Sequence, residues 1–161
     1  MQKIIRVLHI LAVCVFVGSI PGHIVLGELA KSAQGNEAFA VYQQAKYALT
    51  IGLTTGGIAF TLLTGVLLGL SEKGVFKERW LRAKLLLVAM IVINGAVILT
   101  PLAEQMKDMA EATISSGVLS SDFHDAESKE AIAGAINLLL IVIVIFLAVL
   151  KPKLGSKSSE A

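Results

Sequence analysis

Apolar residues along this chain fall into four long runs separated by shorter polar segments. The runs cover about residues 4–26, 47–70, 81–102 and 131–150, and the last contains one polar side chain, Asn137. Each run is long enough to cross a bilayer as a helix, which takes about 20 residues. Because unsatisfied peptide groups are costly in hydrocarbon, each run must close its own backbone hydrogen bonds. The pattern predicts an all-α integral membrane four-helix bundle.

The composition is also typical of a chain that lies within a lipid bilayer. Of its 161 residues, 55% are hydrophobic and only 16% are charged, which is more apolar than the core of a soluble domain of this size requires. We expect a single domain over residues 1–161, in which 151–161 form a short polar tail. The lone Cys14 excludes an internal disulfide framework. A net charge of +2 gives no basis for a nucleic-acid surface.

Basic residues set the expected orientation, since Lys and Arg concentrate on the cytoplasmic side of a membrane. The chain has 14 Lys and Arg residues, and ten of them precede or open the first run, lie between the second and third runs or at the start of the third, or follow the fourth. These ten are Lys3, Arg6, Lys73, Lys77, Arg79, Arg82, Lys84, Lys151, Lys153 and Lys157. We therefore expect both termini to be cytoplasmic in a multi-pass protein of the inner membrane. A cleaved signal sequence is the alternative for the first run, whose length favours an uncleaved span.

The segment 103–130 between the third and fourth runs contains good helix formers. Thr100-Pro101 could restart a helix with proline in its first turn, and EQMKDMAEA favours its continuation. Ser121 or Asp122 could cap the approach to the fourth helix. The segment Gly27 to Lys46 is expected to form the other outer loop.

Glycines spaced four residues apart mark helix faces that carry no side chain. The pairs are Gly18 and Gly22, Gly52 and Gly56, and Gly65 and Gly69. Such faces allow another backbone to approach closely, either within the bundle or across a homodimer. A flat cofactor that needs room against a helix is the alternative. The sequence leaves both open.

Ionisable residues inside membrane spans usually face the bundle interior, which draws attention to His9, His23 and Lys84. Fourteen residues of helix place the two imidazoles within about 40° of one face and about 21 Å apart. A neutral imidazole is a suitable axial ligand for haem iron, so each of the two histidines could bind a haem b near one leaflet. Lys84, helped by Arg82, could offset propionate charge, although snorkelling to the headgroups is the simpler role for a lysine there.

Short motifs in three of the runs resemble a superfamily of small four-helix membrane proteins. Leu8-His9-Ile10, followed by Phe16 and Gly18, resembles the first helix of that superfamily. WLRAKLLLV is similar to the start of the third helix of the HemJ-type protoporphyrinogen oxidases, which bind haem b, and LLTGVLLGL resembles the second helix of the copper resistance protein D family. The resemblance implies functional roles for His9 and Lys84. Those enzymes have Trp at the position of Phe16, so the resemblance implies haem binding rather than oxidase activity.

The leading hypothesis is a membrane b-type haem protein that transfers electrons with a quinol or another membrane redox partner. Whether it is a haem-dependent oxidoreductase is left open. One alternative is copper handling at the outer face, because Met106, Met109, His124 and His23 offer soft thioether and imidazole ligands. The other is an assembly subunit in which the glycine faces and Asn137 serve helix association.

Overall fold

Four long helices make up the fold, which is a computed structural model that describes residues 2–71 and 78–151. They are α1 (Gln2–Lys31), α2 (Asn36–Ser71), α3 (Arg79–Ser116) and α4 (Asp122–Leu150). All four are long and apolar enough to cross a membrane, which confirms the helices predicted from the hydropathy pattern. Part of the predicted charge asymmetry, at Lys73, Lys77, Lys153 and Lys157, lies outside the described residues.

The helices extend well beyond the apolar runs, so the two connections on one side are short. Residues 32–35 join α1 to α2, and Gly35 there has φ +94°. Residues 117–121 join α3 to α4, and Gly117 ends α3 with φ +71°. The left-handed conformation at these two positions favours glycine. Most of the expected loops 27–46 and 103–130 is therefore helical.

Two helices contain a π-helical segment. In α2 it is Thr50–Thr55, and in α3 it is Gly95–Leu99. The segment in α3 directly precedes Pro101, whose ring cannot donate a hydrogen bond to Val97 and would crowd its carbonyl in a regular α-helix. A wider turn accommodates the proline, so the helix restarts at Thr100 without a break in α3.

The start of α4 differs in detail from the expected cap. The helix begins at Asp122, but the side chain of Ser121 makes no capping hydrogen bond. The backbone N–H of Asp122 instead donates to Oγ of Ser120, at 3.3 Å. The cap is therefore one residue earlier than the sequence suggested.

The helices form two antiparallel pairs, α1 with α2 and α3 with α4. We call the side with the connections 32–35 and 117–121 the loop end, and the opposite side the terminal end. At the terminal end, the Gln2 amide donates to the Ser71 carbonyl at 2.8 Å. In the other pair, Nζ of Lys151 lies 5.7 Å from the centre of the Trp80 ring. The two helices of each pair are thus in contact at the terminal end.

The two pairs meet at the loop end. Residues 36–49 of α2 pack against 100–116 of α3, which also contact α4. Alanines at this contact, among them Ala40 and Ala110, are fully buried and let the backbones approach. Met106, Phe123 and Ala126 form the core, with Phe39 packed on it. Nearer the terminal end, residues 56–71 and 79–94 have no such packing between them among the described residues.

Candidate functional site

His9 lies on α1 toward the terminal end, and its ring faces α2. Its Nδ1 is 2.9 Å from Oγ1 of Thr64. The neighbouring Gly65 makes room for the ring, since a Cβ at that position would lie 3.2 Å from Cε1 of His9. One of the glycines noted in the sequence is therefore approached by an imidazole of the same chain.

The hydrogen bonds of Thr64 decide which nitrogen of His9 carries the proton. Oγ1 of Thr64 lies 2.8 Å from the carbonyl oxygen of Phe60 and 3.2 Å from that of Thr61. The hydroxyl has one hydrogen, and a carbonyl can only accept, so Thr64 donates along its own helix. Its oxygen then accepts from Nδ1–H of His9. In the neutral ring, Nε2 is left with the lone pair, which is the nitrogen suited to bind a metal.

The two basic residues predicted for this site differ in position. Lys84 is half-buried on α3, close enough to His9 for its charge to act on the ring. Arg82 is exposed. An imidazole of α1 and a cation of α3 are therefore near one another toward the terminal end.

His23 also faces α2, through the other ring nitrogen. Its Nε2 is 3.0 Å from Oγ1 of Thr54, which is 2.9 Å from Oγ of Ser19. Ser19 lies 2.7 Å from the carbonyl oxygen of Phe16, to which it donates. The chain of donors therefore runs from His23 through Thr54 and Ser19 to the carbonyl. Nε2–H of His23 is occupied, and the lone pair of the neutral ring lies on Nδ1.

A buried ion pair at the loop end was not foreseen from the sequence. Nζ of Lys46 on α2 contacts Oε2 of Glu130 on α4, and the two side chains are only 10% and 17% exposed. Lys46 is also close enough to His23 for its charge to act on that ring. The sequence predicted only that Lys46 ends the outer loop 27–46. Its partner is 84 residues away, which no local pattern reveals.

Asn137, the polar residue of the fourth run, pairs with Asn94 on α3. The Asn94 amide donates to Oδ1 of Asn137 at 2.8 Å and to the Ala133 carbonyl at 2.9 Å. The Asn137 amide lies 3.5 Å from the carbonyl oxygen of Ile91. Asn137 thus joins α3 to α4, as the helix-association hypothesis expects of an amide in a membrane span.

The remaining glycines divide between packed and open faces. A Cβ on Gly22 would lie 2.9 Å from the Leu49 side chain, and one on Gly57 would lie 3.0 Å from the backbone nitrogen of Phe16. A Cβ on Gly18 or Gly52 would meet nothing within 4 Å. The packed glycines serve contact between α1 and α2. The predicted homodimer through glycine faces stays a prediction.

The residues considered for copper have other contacts. Met106 is 1% exposed in the core with Phe123, and Met109 packs on the same cluster, which gives both thioethers a packing role. His124 is exposed, with Nδ1 3.7 Å from Oε2 of Glu127. Within residues 2–71 and 78–151, no group of three or more His, Cys, Asp or Glu side chains could hold a metal ion.

Comparison with known proteins gives one result. The family model described as predicted integral membrane protein (DUF2269) matches residues 3–152, nearly the whole chain. No curated protein matches the chain, and no solved structure does.

Proposed function

The chain belongs to the DUF2269 family of predicted integral membrane proteins, and from this premise we propose that it binds haem b through the His9 imidazole. The observation that carries the proposal is the hydrogen bond between Nδ1 of His9 and Thr64. Axial histidines of metal sites are commonly held by such a bond on the second nitrogen, which fixes the ring and raises its basicity. The donor set of His9 therefore fits a haem.

A cation at the same depth also supports the proposal. Lys84 is half-buried on α3 and lies close enough to His9 for its charge to act on the ring. A buried ammonium is costly unless an anion accompanies it. A haem propionate would supply that anion, and Arg82 two residues earlier on α3 could assist near the surface.

The roles of the chain's own residues follow from this arrangement. His9 would hold the iron of a haem, Thr64 keeps the proton on Nδ1 and orients the ring, and Lys84 would neutralise a propionate. Haem b would supply a one-electron couple, and the proposed role is electron exchange with a quinol or another membrane redox partner. His23 would have to bind through Nδ1, because its Nε2 is held by Thr54. Its ligand role stays a prediction, and the proposal rests on His9.

The orientation in the membrane is also proposed. Lys3, Arg6, Arg79, Arg82 and Lys151 lie at the terminal end. The excess of basic residues on cytoplasmic sides supports a cytoplasmic terminal end, with both termini inside and the inner membrane as the location.

The experiment is an absorption spectrum of the protein purified from cells supplied with haem precursor, with haem counted per chain. We expect a Soret band that His9→Ala removes. His124→Ala is the matched control, because His124 is an exposed histidine at the loop end. His23→Ala tests the predicted ligand role of His23 separately, by whether the haem count per chain falls. A colourless protein that also fails to bind added haemin, or a band that His9→Ala leaves intact, would overturn the proposal.

A further inference from the structure

A cavity of about 350 Å³ opens at the loop end, far along α1 from His9. It lies where α1 and α3 end and where α2 and α4 begin. Its volume falls at the lower end of the range for small-molecule sites in proteins, about 300–1,000 Å³. The haem proposal uses none of the residues that line it.

Gln43 gives the cavity a hydrogen-bonding group that has no partner among the described residues. The residue is 4% exposed and lines the cavity, and its side-chain amide makes no hydrogen bond to any of the described residues. The adjacent Gln44 shows the contrast, since it is exposed and donates to Glu111 at 2.9 Å. Since no fully buried side-chain nitrogen or oxygen of the described residues lacks a partner, the Gln43 amide is accessible from the cavity, where a ligand can form hydrogen bonds worth about 0.5–1.5 kcal/mol each. Gln43 offers both donors and an acceptor to it.

The wall beside Gln43 is aromatic. Phe39 and Phe123 meet edge to face, with ring centroids 5.2 Å apart and an interplanar angle of 62°. Both rings line the cavity together with Leu119. Aromatic walls favour a ligand that presents a ring of its own.

The rim of the cavity carries one lysine beside two carboxylates. Nζ of Lys31 lies 3.6 Å from Oε1 of Glu127 and 3.1 Å from Oε1 of Glu28. A cation flanked by two carboxylates does not select an anionic ligand. The rim therefore admits molecules without a net charge.

We propose that this cavity is a binding site for an uncharged aromatic molecule that carries an amide or a similar group able to donate and accept hydrogen bonds. The polar group meets Gln43, and the ring lies against Phe39 and Phe123. Since the site is at the loop end, the ligand enters from the aqueous side that the connections face. This site is independent of the haem proposal, and His9→Ala leaves it intact.

Benzamide is the probe for the test, because it combines a ring with an amide. We expect saturable binding to the full-length protein in lipid nanodiscs, measured by saturation-transfer NMR with empty nanodiscs as background. Gln43→Leu should weaken it by roughly 5- to 10-fold, the loss of about one hydrogen bond. Gln44→Leu, the matched control, should leave it within about twofold, and benzoate should bind more weakly than benzamide.

A second variant separates loss of the site from loss of the fold. Ala33→Trp fills the rim from the connection 32–35 and should abolish benzamide binding while the helical circular dichroism is unchanged. Absence of saturable binding to the wild type, or equal binding to wild type, Gln43→Leu and Ala33→Trp, would overturn the proposal.

Discussion

Thr54 and Thr64 lie on the face of α2 that α1 covers, and each meets one histidine. Their hydroxyls are tied differently: Thr64 donates to its own helix, and Thr54 donates toward Ser19. The consequence is that His9 keeps its lone pair on Nε2, whereas His23 keeps it on Nδ1. Two imidazoles on one helix thus acquire different capacities to bind a metal from hydroxyls on the next helix.

Removing the hydroxyl of Thr64 tests this arrangement without reference to a ligand. Thr64→Val keeps the side-chain shape but leaves Nδ1–H of His9 without its acceptor. We expect a loss of about 0.5–1.5 kcal/mol in the free energy of unfolding, as for other hydrogen bonds between membrane helices. Reversible unfolding in bicelles measures it.

The loss of unfolding free energy caused by Thr64→Val should depend on His9. In a His9→Ala background, Thr64→Val should cost less than half as much, because the bond is already absent. Thr61→Val is the control, since that hydroxyl donates to Gly57 of its own helix, at 2.8 Å. A cost of Thr64→Val that is the same with and without His9 would contradict the assignment.

Sequence reasoning identified both histidines but not their partners. Ionisable residues within membrane spans usually face the bundle interior, and this rule was enough to select His9, His23 and Lys84. Thr50, Thr54, Thr61 and Thr64 recur at helical spacing on α2 and could have indicated the face toward α1. Their contacts depend on the register between α1 and α2, which the sequence does not reveal. Lys46 and Glu130 were missed for the same reason.

At the scale of helices, the contact between α1 and α2 depends on Gly57. A Cβ there would lie 3.0–3.2 Å from backbone and Cβ atoms of Phe16, which cannot move aside as a side-chain tip could. Gly57→Ala should therefore cost about 1–3 kcal/mol of unfolding free energy through overpacking. Gly18→Ala on α1 is the matched control, because its new Cβ meets nothing within 4 Å. It should be neutral or stabilising by up to about 1 kcal/mol. Equal effects of the two substitutions in a thermal unfolding assay would contradict the observed register.

The helices themselves were predictable because hydrophobic length decides them. Their ends and π-helical segments were not, for physical reasons that can be named. Polar residues such as those of 36–46 and 104–116 continue the helices because the loop end has a packed core of its own around Met106 and Phe123. The π segment before Pro101 reflects a local steric conflict within α3. Hydropathy does not detect either effect.

At the scale of the whole molecule, the two helix pairs are joined at the loop end and separate toward the terminal end. Lys46 and Glu130 connect α2 to α4 across that junction, largely out of solvent. Glu130→Gln should destabilise the protein by about 3–5 kcal/mol, because it leaves a buried ammonium uncompensated. Lys31→Gln, in an exposed pair, should leave the unfolding free energy close to that of the wild type. A Glu130→Gln protein as stable as the wild type would show that the pair does not hold the two halves together.

Both proposals assign their ligand to one side of the membrane, so both depend on the orientation of the whole molecule. A cytoplasmic terminal end predicts opposite reactivity for two engineered cysteines in a Cys14→Ala background. Gln34→Cys lies in the exposed connection 32–35, and Glu78→Cys lies exposed just before α3. In intact spheroplasts, a membrane-impermeant maleimide should label Gln34→Cys at once and Glu78→Cys only after lysis. The reverse result would place His9 and Lys84 toward the outside, so that haem would have to be supplied from that side, and would open the Gln43 cavity to cytoplasmic ligands instead.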